Sequence, residues 1–105
     1  MRNYLTEFLE SEEANNPSHI GYKASRGIAK SIEDANNLEM TIIAQIATTE
    51  SATQMVLEAI YDHLRVGSFD TKEDVGDYFM LVIRQYLKNQ TSGEKEIIPD
   101  RGSFN

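Results

Sequence analysis

The chain contains no cysteine. That absence excludes disulfides, thiolate metal sites and a cysteine nucleophile, and it agrees with the cytoplasmic location expected for the protein. Histidine is almost as scarce. His19 and His63 stand 44 residues apart, and neither belongs to a His-x-x-x-His pair or follows a glutamate at the three-residue spacing of di-iron bundles. Glu58, Asp62 and His63 fall within about one helical turn, but they read as an acidic solvated face beside one half-buried histidine. No metal and no cofactor are therefore expected. Long apolar runs are missing too. The longest, Tyr78 to Ile83, has six residues, against the roughly 18 needed to cross a bilayer. The first residues, MRNYLTEFLESEE, alternate apolar with acidic positions and lack the apolar core of a signal peptide.

Positive charge is the next deficit. Seventeen acids face ten Lys and Arg, for a formal net charge of -7. This balance argues against bulk nucleic-acid binding and against anionic membrane surfaces, because phosphate contact needs cation density. It suits a basic protein surface. The deficit is uneven. Ser31 to Leu64 carries Glu33, Asp34, Glu39, Glu50, Glu58 and Asp62 without one Lys or Arg, whereas the twelve residues before it, HIGYKASRGIAK, carry His19, Lys23, Arg26 and Lys30 without one acid.

At 105 residues the chain holds one domain, read as residues 1–90, with 91–105 as a flexible tail in which Ile97, Ile98 and Phe104 are candidate docking residues. A chain this short buries only about 60–65% of its unfolded surface, so self-association is expected. Apolar residues recur at three- and four-residue intervals, which predicts an all-α bundle of four to five helices at about 3–13, 19–36, 38–47, 50–66 and 71–89. Asn15-Asn16-Pro17 ends the first, and Ser18 is read as the cap of the second. Gly21, Ser25 and Gly27 make that second helix narrow enough for close backbone approach. Asn36-Asn37 marks a kink or a break with a new cap, so residues 22–47 form one helix or two; Ile28, Ile32, Ala35, Ile42 and Ile46 also thread an imperfect seven-residue seam. Leu38 to Ala47 is apolar nearly all round and reads as a buried helix. Thr48-Thr49-Glu50-Ser51 reads as a hydroxyl-capped start, Gly67 as a left-handed cap, and Asp70 to Glu73 as a capping box. The last helix is apolar on so many sides that a second copy of the chain is expected to cover part of it.

Catalytic motifs are not found. Neither Gly-x-Ser-x-Gly nor a Walker-type loop occurs, and Gly21 and Gly27 do not make a dinucleotide fingerprint. The acids from Asp70 to Asp77 fail as a calcium loop, since Lys72, Val75 and Leu81 occupy positions that need an oxygen ligand, glycine and glutamate. A helix-turn-helix would place LEMTIIAQIA, which has no cation, in a DNA groove. The protein is thus expected to be non-enzymatic.

Its expected role is stoichiometric capture of a macromolecular partner with a basic surface. The sharper form is a phage or mobile-element inhibitor of a nucleic-acid-handling protein, with Glu33, Asp34, Glu39, Glu50, Glu58 and Asp62 as the partner-binding face. A different reading rests on His19, Lys23, Arg26 and Lys30, which stand at i, i+4, i+7 and i+11. With Tyr22 beside them they make one stripe near a helix start, suited to an anion. In that case the protein is an oligomeric sponge or receptor for a phosphorylated small ligand such as a nucleotide, bound between subunits. A third reading is a self-assembling scaffold subunit.

Overall fold

The computed structural model describes residues 2–69 and 71–92, with side chains to Asn89. Among these residues six helices follow one another: α1 (Tyr4–Leu9), α2 (Glu12–Asn15), α3 (Ile20–Asp34), α4 (Asn37–Ala47), α5 (Glu50–Arg65) and α6 (Lys72–Ser92). No strand occurs among the described residues, and none of their helices is long and apolar enough to cross a membrane.

Local chemistry explains where the helices start and stop. The single first helix expected over 3–13 is two. The Ser11 hydroxyl donates to the Phe8 carbonyl at 2.6 Å and accepts from the Ala14 amide at 3.2 Å, so one side chain closes α1 and caps α2. Before Pro17, Asn16 takes an extended ψ of 110°, as the proline ring requires. The cap of α3 is His19 rather than Ser18: its Nδ1 accepts from the Gly21 amide at 3.0 Å. Residues 22–47 form two helices. Ala35 is extended, and Asn36 and Glu39 build a reciprocal capping box at 3.0 and 2.8 Å, which breaks the seven-residue seam.

At the next junction the threonine hydroxyls end α4 instead of starting α5. Thr48 donates to Ala44 and Thr49 to Gln45, and Thr49 makes no cap hydrogen bond through its side chain. Gly67 adopts φ +73°, the left-handed value that suits a residue without Cβ. The capping box of α6 lies one residue later than Asp70–Glu73: Thr71 and Asp74 exchange both bonds at 3.2 Å. Helix α6 also runs two residues beyond 90, to Ser92. The rest of the expected tail, with Ile97, Ile98 and Phe104, lies outside the described residues, as does Asp70.

The core is a single cluster in which Ile28, Ile46, Val56, Ile60, Val75, Phe79, Val82 and Ile83 are all but sealed from solvent. Helix α6 runs through its centre against α3, α4 and α5. The apolar breadth that suggested a second copy is largely satisfied within one chain: Val75, Tyr78, Phe79, Val82 and Ile83 are buried, and Met80, Leu81, Tyr86 and Leu87 are partly so. Helix α4 is less buried than its composition suggests. Ile42, Ile43, Ile46 and Ala47 face inward, while Leu38 is 60% and Met40 40% exposed. Two buried hydroxyls tie neighbouring elements together, Ser25 to the Ala14 carbonyl at 2.9 Å and Thr53 to the Ile46 carbonyl at 2.8 Å.

The tightest junction is the crossing of α3 and α6. A Cβ on Gly27 would stand 2.5 Å from the Val75 Cβ and 2.8 Å from the Lys72 carbonyl oxygen. One on Gly76 would stand 2.6 Å from the Ser31 Oγ and 3.1 Å from the Gly27 carbonyl oxygen. Glycine costs a helix up to about 1 kcal/mol relative to alanine. Here each glycine lets the other helix's backbone approach, and this approach sets the first turn of α6 beside the cationic face of α3.

Candidate functional site

The face of α3 that turns outward carries Lys23, Arg26 and Lys30, because Ala24, Ser25, Gly27, Ile28 and Ser31 are drawn inward by α2, α5 and α6. The stripe therefore exists, but its members do different things. His19, at the start, caps the helix and has Glu13 at 3.7 Å. Lys30, at the end, pairs with Asp34 at 3.4 Å. Tyr22, Lys23 and Arg26, in the middle, line a cavity of about 390 Å3.

Three other elements complete that cavity. Leu64 comes from α5, Phe69 and Thr71 from the connection that follows it, and Lys72 and Val75 from the first turn of α6. Arg26 sits over the Tyr22 ring, with its guanidinium carbon 4.5 Å from the centroid, a cation–π contact that orients the charge. Neither Lys23 nor Lys72 joins an ion pair among the described residues. Phe69 is half-buried and packs against His63 (ring centroids 5.1 Å apart) and Tyr78 (5.6 Å). His63 is only 8% exposed and lies 4.5 Å, centroid to centroid, from Tyr78. It belongs to the aromatic support behind the cavity rather than to a surface with Glu58 and Asp62, which are exposed. Burial pushes the Tyr78 phenol up, and the Asp62 charge adds to the shift.

Lys72 was not legible as a site residue. It lies 42 residues beyond Lys30 and passes for part of a capping sequence. A signal exists nonetheless: a cation in the first turn opposes the helix macrodipole, which favours acids there. Lys72 also lines a second concavity, a groove of about 240 Å3 that carries Lys30 and Arg84 together with Asp34, Glu39, Glu73 and Asp77. In it Arg84 pairs with Glu39 at 3.3 Å.

The six acids of the cation-free block are spread over three helices. Glu33 and Asp34 end α3, Glu39 starts α4, and Glu50, Glu58 and Asp62 belong to α5. Three of them are matched by cations of the same chain: Asp34 by Lys30, Glu39 by Arg84, and Asp62 by Arg65 at 3.1 Å. Glu33, Glu50 and Glu58 join no ion pair among the described residues. Elsewhere, Tyr61 of α5 donates to the Glu13 carboxylate of α2. Burial, followed by this bond, pushes its phenol well up. The hydrogen bond from Arg2 holds the exposed Glu7 carboxyl below its ordinary range.

Among the described residues no group of three or more His, Asp or Glu is placed to hold a metal ion. The cavity offers charge, hydrogen-bond donors and apolar surface, a combination that serves binding. Comparison of the chain with protein-family models, with curated proteins and with solved structures finds no significant match.

Proposed function

We propose that the protein is a non-enzymatic binding protein for a phosphorylated small ligand, held in the cavity between α3 and α6. One observation carries this reading. In a chain with seventeen acids and ten Lys and Arg, the described residues that line the cavity include Lys23, Arg26 and Lys72 and no acid. Like charges are brought together against their mutual repulsion, and an anion relieves that repulsion. The volume falls within the range of small-molecule pockets, roughly 300–1,000 Å3. The cavity is built entirely from one chain, so this reading does not need the subunit boundary at which the sequence suggested the ligand would sit.

The test is calorimetric titration of the full chain with phosphorylated metabolites, alongside native mass spectrometry of protein taken directly from cells. Charge-assisted hydrogen bonds contribute about 1.5–3 kcal/mol each. Replacing both Lys23→Glu and Lys72→Glu is therefore expected to weaken binding by at least about 100-fold. Unchanged affinity in that double variant would sink the proposal.

Capture of a basic macromolecule is the second reading. It is favoured by Glu33, Glu50 and Glu58, which join no ion pair among the described residues, and by the exposed Leu38, Met40, Met55 and Val66. It requires a salt-sensitive complex with a basic protein, and a complex that ignores both salt and these acids would refute it.

A further inference from the structure

We infer that the ligand is a nucleoside monophosphate. The inference rests on the binding role just proposed and specifies its ligand class. The cavity has two halves of different chemistry. Lys23, Arg26 and Lys72 supply charge, whereas Leu64, Phe69 and Val75 supply apolar surface. Inorganic phosphate or a sugar phosphate uses the first half and leaves the second in contact with water. A nucleoside monophosphate uses both, its phosphate the first and its planar base the second. Phe69 is suited to receive it, because its ring is fixed from behind by His63 and Tyr78, and a ring already ordered loses little freedom on stacking.

Charge limits the number of phosphates. Arg26, oriented over Tyr22, keeps its charge, and with Lys23 and Lys72 it gives three cations, enough to offset one dianionic phosphate and fewer than the charges of a triphosphate. Beyond Lys72 the surface changes sign, because the adjoining groove carries Asp34, Glu39, Glu73 and Asp77. A second or third phosphate extended in that direction meets carboxylates. The cavity volume of about 390 Å3 suits one mononucleotide, and the net charge of -7 opposes a polymer.

The deciding experiment titrates the full chain by calorimetry at low salt with AMP, GMP, CMP and UMP, with ATP and GTP, with ribose 5-phosphate, and with inorganic phosphate. At least one monophosphate is expected to bind roughly tenfold or more tighter than ribose 5-phosphate, the effect of one base–aromatic stack, and also tighter than its own triphosphate. Phe69→Leu should erase the advantage over ribose 5-phosphate, and Phe69→Tyr should keep it; circular dichroism of both variants guards against misfolding. If ribose 5-phosphate, inorganic phosphate or the triphosphates bind as tightly as every monophosphate, this inference is overturned while the phosphorylated-ligand reading stands. If none of these compounds binds, both are overturned.

Discussion

Two concavities flank the same helix crossing and share Lys72, yet they are chemically unlike. In the groove, Lys30 and Arg84 are answered by Asp34 and Glu39. The Lys30–Asp34 pair is exposed and of the kind worth about 0–1 kcal/mol, whereas the exposed Arg84 reaches a Glu39 side chain that is only 15% exposed. In the cavity, Lys23 and Lys72 join no ion pair among the described residues, and apart from Arg26 and Thr71 the remaining described wall is aromatic and aliphatic. A cation on a protein surface is uninformative by itself. The informative feature is a set of cations from different helices gathered where none of the described lining residues is an acid.

The comparison can be broken most severely at the crossing. Gly27→Val puts side-chain atoms where Val75 and the Lys72 carbonyl already stand. The expected loss is about 3 kcal/mol, or roughly 12 °C or more in Tm for a chain of this size, measured by urea and thermal denaturation. Ala29→Val, on the exposed side of the same helix, should stay within about 0.5 kcal/mol.

Charge removal sharpens the contrast without touching the core. Set beside the Lys23→Glu, Lys72→Glu pair, Lys30→Gln with Arg84→Gln should leave nucleotide affinity within about twofold, read in the same calorimeter. A large loss from the groove variant would mean that the two concavities act as one.

Alkaline pH probes what lies behind the wall. The phenols of Tyr78 and Tyr61 are both raised in the folded chain, so the fold holds their protons more tightly than the unfolded chain does. Their contribution is present in full below the unfolded tyrosine value of about 10. It is lost as pH rises from there through the folded values. Thermal melts from pH 9 to 11 should show falling stability. Tyr78→Phe and Tyr61→Phe should each flatten that slope, the first acting at the support of the cavity and the second at the α2 junction. The smallest effect belongs to the exposed Lys30–Asp34 pair of the groove: Lys30→Gln should cost about 0.5 kcal/mol in urea denaturation, with less difference at high salt.

Much of the architecture was legible because periodicity and caps act locally. The break at Asn36, the left-handed Gly67 and the inward line of Ala24 and Ile28 follow from residue type and spacing. What escaped depends on competition among neighbours. Ser11 could have continued a helix, and divides one because the Phe8 carbonyl is within reach. The threonines at 48 and 49 had two helix ends to serve and serve the earlier one. The site divides along the same line. Tyr22, Lys23 and Arg26 stand together on one helix, whereas their convergence with Phe69 and Lys72 is a product of how α3 and α6 cross. The Leu38 and Met40 exposures were hidden for a related reason, since an apolar helix does not announce which of its sides the bundle leaves uncovered.

The glycine crossing has a further consequence for how the chain opens. Lys23 and Lys72 are 49 positions apart in sequence, and they approach one another only when both helices are seated. An anion held by both therefore acts as a reversible crosslink between the two halves of the chain, linked to global opening rather than to fraying at either end. Amide hydrogens in α3 and α6 should accordingly slow together and by the same factor on ligand addition, although the ligand touches only a few residues of each helix.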